Sequence, residues 1–188
     1  MLGEENRSKS GPFDVSEVGQ LRPYIDFGSI RLAPNKGIKL RAELEEKTKK
    51  VVAITILFPE TTLQLQAFAA PKSRGIWNEA LEPIQNSINK QGGTAEVRSG
   101  LLGDEVRARV SVEKDGRKGY RDSVFIGADG PRWMLRGVIY GKAATDSSEY
   151  QKAIEMFRST VVDRGNVPLP PNELLPLSLP QNESTQSE

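Results

Sequence analysis

Apolar residues return at every second position in one stretch of this chain after another, and a two-residue period leaves a β-sheet as the main structure it can build. IKLRAELE sets Ile38, Leu40, Ala42 and Leu44 on one side against Lys39, Arg41, Glu43 and Glu45 on the other. TLQLQAFAAP turns Leu63, Leu65, Ala67 and Ala69 inward and Gln64 and Gln66 outward. EVRARVSV does the same with Val106, Ala108, Val110 and Val112. VVAITILF is apolar on both sides, the pattern of a central strand covered twice. Short turns join these segments: Pro59-Glu60-Thr61-Thr62, then Lys114-Asp115-Gly116-Arg117, then Ala128-Asp129-Gly130-Pro131 between YRDSVFIG and RWMLRGVIY. AEVRS is a weaker strand, and Tyr24 to Ile30 makes a short extended entry.

Two segments follow the helical period instead. Trp77, Leu81, Ile84 and Ile88 share one face, and Gly92-Gly93 stops the helix. Pro83 lies inside this pattern, so a kink or a later start is expected. Asp146 can cap a second helix, with Glu149 three residues on and Tyr150, Ala153, Ile154 and Phe157 as its stripe. Val161-Val162 adds a short last strand. This order predicts an α+β fold, a largely antiparallel sheet of about six to eight strands with two main helices packed on one face.

The predicted organisation has three parts. Residues 1–20 read as a flexible lead-in, 21–164 as a single α+β domain, and 165–188 as a Pro/Leu-rich C-terminal segment. That last segment holds five of the twelve prolines and neither Lys nor Arg. Its leucines, Leu169, Leu174, Leu175, Leu177 and Leu179, are too apolar for a solvated tail. The part up to about Pro180 is therefore expected to lie along the domain or along a partner, and QNESTQSE to be disordered.

Composition removes whole classes of chemistry. With no Cys and no His, the chain has no disulfide, no thiolate or imidazole metal site, no Cys nucleophile and no Ser-His-Asp triad. No motif calls for a cofactor or a metal. The 26 Lys and Arg balance 25 Asp and Glu, which argues against nucleic acid as a partner. The apolar runs are strand-sized, which argues against a membrane and for a cytoplasmic setting.

One stretch, GADGPRWMLRGVIYG, invites a functional reading. On an extended strand Trp133, Leu135, Gly137 and Ile139 face one way, while Arg132, Met134 and Arg136 face the other. Gly137 would admit a helix or a bulky neighbour unusually close. Two guanidiniums about 13 Å apart on one face could grip a carboxylate, a phosphate or an acidic peptide. Pairing of these arginines to Asp122 or Glu105 is the competing structural reading, and the weightier one. The candidate ligand-binding residues are Asp129, Arg132, Trp133 and Arg136; there is no candidate catalytic residue.

The segments YIDFGSIRLAP, QLQAFAAPKSRGIWNEA, GLLGDEVRA, FIGADGPRWMLRGVIYG and VVDRGNVPLPP resemble an actinobacterial family known only as a domain of unknown function. The resemblance runs from about Gly11 to Pro180 and implies no activity, substrate or cofactor. The functional expectation is thus a non-enzymatic binding or adaptor domain whose partner is a protein or peptide, a second copy of the chain included. Two alternatives stand beside it. One is a nucleotide or phosphometabolite binder, an enzyme without histidine among the forms it could take, using an Arg132/Arg136 anion clamp. The other is a structural homodimer in which VVAITILF is partly covered by a second subunit.

Overall fold

A computed structural model describes residues 4–19 and 23–181. Seven strands form one antiparallel sheet in the order β4-β5-β6-β10-β9-β8-β7. They are β4 (Lys39–Leu44), β5 (Val51–Leu57), β6 (Thr61–Ala69), β7 (Thr94–Gly100), β8 (Gly103–Lys114), β9 (Arg117–Gly130) and β10 (Trp133–Gly141). Each of the alternating segments is one of these strands. The chain lays down β4, β5 and β6 as a meander and crosses over through α2 (Trp77–Lys90). It then returns from the far edge through β7, β8 and β9 until β10 closes against β6. A small second sheet, β1-β11-β3-β2, gathers Phe13–Asp14, Val161–Val162, Ile30–Leu32 and Ile25–Asp26.

The fold is α+β, and the two main helices are present, but they lie on opposite faces of the large sheet and not on one. The alternation along β9 and β10 shows why. Val124, Ile126, Trp133, Leu135 and Ile139 pack with Tyr150, Ile154 and Phe157 of α3 (Ser147–Arg158), with the small sheet, and with Leu175 of the tail. Phe125 and Met134, one residue out of phase, pack instead with Trp77, Leu81 and Ile88 of α2. A crossover from β6 to the opposite edge carries α2 over the face that α3 does not occupy. The close approach expected at Gly137 is made by α3: a Cβ there would lie 3.0 Å from the Phe157 ring.

Local chemistry fixes both helices. Asp146 caps α3 by accepting from the Ser148 and Glu149 amides, each at 3.0 Å, while Glu149 turns forward to Lys152. Pro83 does not shift the start of α2. It stands on the exposed side of the helix, away from the buried Trp77, Leu81 and Ile88.

Both ends of the described chain are built into the core. The expected flexible lead-in is instead a short helix, α1 (Glu4–Ser10), followed by β1 and a 3-10 turn at Val15–Glu17. Phe13 and Asp14 of β1 pair in parallel with Val161 and Val162 of β11, and the Phe13 amide donates to the Thr160 carbonyl. At the other end the chain docks on itself. The paired register of β5 and β6 stops at Ile54 and Leu65, so β6 continues without β5 beside it. Residues 172–175 take that place: Asn172 N and Leu175 N donate to the Ala69 and Ala67 carbonyls, and Ala69 N donates to the Glu173 carbonyl. Leu175 is fully buried as a result. Further on, Ser178 N donates to the Phe27 carbonyl. The expectation for QNESTQSE falls, after Gln181, outside the described residues.

Candidate binding surface

The turn that leads into β10 is tighter than the sequence suggested. β9 runs on to Gly130, which pairs with Trp133, so the turn residues are Pro131 and Arg132 alone. Arg132 takes φ 61°, the positive value demanded at the third position of a type II turn after proline. It therefore sits at the turn and not on the strand. Arg136 lies on the strand, where it donates to Gln66 and stacks over Phe68 at 5.0 Å. Burial pulls its guanidinium below its ordinary basicity. The two arginines are thus set on different elements, each with its own surroundings. The Arg136 Nε is buried without a hydrogen-bond partner.

Asp129 is a helix cap supplied from a strand. Ile76, the residue before α2, offers no side-chain cap. The Asp129 carboxylate accepts from the Ile76 and Trp77 amides at 2.8 and 3.1 Å, where the helix dipole favours negative charge. The neighbouring Gly127 lets the Trp77 ring lie flat on β9, since a Cβ would fall 2.1 Å from it. Asp129→Ala is expected to lower stability in urea denaturation by about 0.5–2 kcal/mol, the usual cost of a lost N-cap, and Asp129→Asn by less.

Trp133 is fully buried, and the N-terminal segment seals it. Its indole Nε1–H donates to Asp14 Oδ1 at 2.8 Å, and the Arg7 guanidinium lies 5.3 Å over its ring. Arg7, itself only 5% exposed, donates to both Glu17 oxygens at 2.9 and 2.7 Å and to the Pro12 carbonyl at 2.9 Å. Glu17 in turn accepts from the Asp14 amide at 2.8 Å. Sequence reasoning missed these three charged residues. A signal existed, because Asp14 and Glu17 have the spacing of a capping box and form one.

The bond from Arg7 holds the Glu17 carboxyl below its ordinary value. A carboxyl depressed in the folded state stabilises fully above its unfolded pKa and loses that contribution as pH falls through the folded one. The wild-type stability is therefore expected to fall as pH drops below about 4.5, and Glu17→Gln to flatten that limb in pH-dependent urea melts.

A second polar cluster, built on Glu105, ties α3 to the sheet. Glu105, 2% exposed, accepts from the Tyr150 hydroxyl and pairs with Arg107 at 2.9 Å, and Arg107 stacks on the Tyr150 ring at 5.1 Å. Burial and, after it, the bond to Glu105 raise the Tyr150 pKa well above the usual phenol range, so the hydroxyl stays protonated and cannot serve as a base near neutrality. Beside it opens a cleft of about 500 Å³ lined by Thr94, Glu96, Arg107, Arg109, Asp122 and Thr145. Its arginines are matched: Arg107 with Glu105, Arg109 with Asp122. Among the described residues no three acidic side chains gather as a metal site would need.

Among the described residues no helix covers the other half of the α2 face. The apolar packing of α2 reaches Phe68 and Met134. Beyond them β4, β6 and β10 present Arg41 and Glu43, an ion pair at 2.9 Å, with Gln64, Gln66, Arg136 and Tyr140, a polar surface of exposed and half-buried side chains. Arg121 lies over Tyr140 at 3.9 Å along its border. The Val52 carbonyl, freed where β5 leaves β6, accepts from Gln66. Thr55, on the same face and fully buried, donates to Glu43. On this side Ala53 and Thr55 of the VVAITILF strand lie buried beneath the side chains of the neighbouring strands.

Fold and surface together define an α+β domain with a half-covered antiparallel sheet, and no helix among its described residues is long and apolar enough to cross a membrane. Over residues 11–186 the chain matches the family described as "Protein of unknown function (DUF3710)", and it belongs to that family. Comparison with curated proteins and with solved structures gives no match.

Proposed function

We propose that the chain is a non-enzymatic, cytoplasmic binding domain that engages an acidic protein segment across the uncovered half of the large sheet. The observation that carries this reading is the charge of that face. Lys39, Arg41, Arg121 and Arg136 stand on it or at its border, against Glu43 as the carboxylate of β4. Guanidiniums held over aromatic rings are pre-oriented donors for carboxylates. Two of the motif residues are engaged elsewhere: Asp129 caps a helix and Trp133 is buried against the N-terminal segment.

A fluorescent glutamate-rich peptide tests it by anisotropy. The wild type is expected to bind with an affinity that weakens as salt rises, and Arg41→Glu/Arg121→Glu to bind at least tenfold more weakly. Equal binding by both proteins would remove the proposal. Should a nucleotide raise the melting temperature, and Arg132→Ala/Arg136→Ala abolish the rise, the anion-clamp reading would replace it.

A further inference from the structure

The large sheet ends in two open edges, β4 and β7, and they differ. β4 is broken by a register shift between Glu43 and Leu44, a bulge of the kind that disfavours edge pairing. β7 pairs without interruption along β8 from Thr94 to Gly100, and most of its residues are exposed. Its hairpin closes on Gly100 and Gly103 around Leu101-Leu102. A two-residue turn closes on a hydrogen-bonded pair, and pairs alternate from there. The amide and carbonyl groups of Ser99, Val97 and Ala95 therefore point away from β8. Gln85 of α2 donates to the Ala95 carbonyl, as an outward-facing acceptor allows. Val97 and Leu101 are two large apolar residues left 41% and 48% exposed here.

The side chains on this edge are self-complementary about Val97. Glu96 and Arg98 share one face, ion-paired to each other along the edge and opposite Arg107 and Glu105 of β8. An antiparallel copy of β7 centred on Val97 sets Glu96 against Arg98 of the second copy, and Arg98 against Glu96. Each charge then has an opposite charge on either side, its own β8 residue inward and the copy's residue outward. On the other face Val97 meets Val97 at the two-fold axis. Because α2 straddles β7 and β8, the two α2 helices would run side by side about 10 Å apart, an ordinary packing distance.

We infer that β7 is the interface of a two-fold homodimer, in which two chains join edge to edge into one fourteen-stranded antiparallel sheet, seven strands from each. This goes beyond the proposed acidic-segment surface, which lies at the other end of the sheet, and the two stand or fall separately.

Light scattering of the full chain across a concentration series tests the inference. Both charged side chains are 58% exposed, so reversing them leaves the core alone. The wild type is expected at twice the chain mass at tens of micromolar. Glu96→Arg or Arg98→Glu alone places like charges opposite each other twice and should give monomers. An equal mixture of the two single variants, one chain with two cations on the edge and the other with two anions, should form the heterodimer. Leu44→Glu, at the opposite edge, should leave the mass unchanged. A monomeric wild type overturns the inference, as does a dimer indifferent to Glu96→Arg or dissociated by Leu44→Glu.

Discussion

Trp133→Ala is expected to lower the unfolding free energy by about 3–5 kcal/mol, the range for truncating a fully buried aromatic residue. Two independent losses contribute. Removing the ring leaves a cavity among Leu135, Ala69 and the small sheet, and removes the surface on which Arg7 rests. It also leaves the Asp14 carboxylate, 8% exposed, without the indole donor. Trp133→Phe separates these effects, because it keeps much of the volume and deletes the hydrogen bond. Its cost should be about 1–3 kcal/mol, the price of one orphaned buried acceptor. Adding Asp14→Ala to Trp133→Phe should then cost less than Asp14→Ala does in the wild type. Additive effects in urea melts of the four proteins would mean that the bond contributes nothing.

Deleting residues 171–188 is expected to be as damaging, although it touches only the proline-rich tail. The deletion removes the backbone partners of Ala67 and Ala69 at the point where β5 has left β6. It also uncovers the site that Leu175 fills. Leu175→Ala alone should cost about 2–5 kcal/mol. The deletion should cost at least that much, and should expose apolar surface that binds a hydrophobic dye. Removing only residues 182–188 should change neither readout. A truncated chain that melts like the wild type would show the tail to be an accessory.

Much of this fold was legible because alternation survives burial on one side. Every alternating segment became a strand, and the Val161-Val162 pair became β11. The cap at Asp146 and the apolar stripe after it likewise gave α3. The side of the sheet on which α2 lies was not legible. It depends on the path of the crossover after β6, which no local pattern encodes. A one-residue difference at one turn had the largest consequence for the site: a strand starting at Trp133 and not at Arg132 removes Arg132 from the ribbon. The N-terminal segment misled for a different reason. Its polarity suggests solvent, yet Arg7, bonded to Glu17 and to the Pro12 carbonyl, can be enclosed. The leucines of the tail did signal docking; that they dock in place of β5 follows from a divergence visible only in three dimensions.

Everything said of the motif depends on Trp133 being a sealed anchor and not a platform for a ligand. Hydrogen exchange of the indole Nε1–H, followed by NMR in a chain with only two tryptophans, tests this most directly. The Trp133 signal is expected to exchange as slowly as the most protected amides of β10, and to lose that protection when residues 1–18 are deleted. Exchange of that proton within seconds in the intact chain would contradict the account.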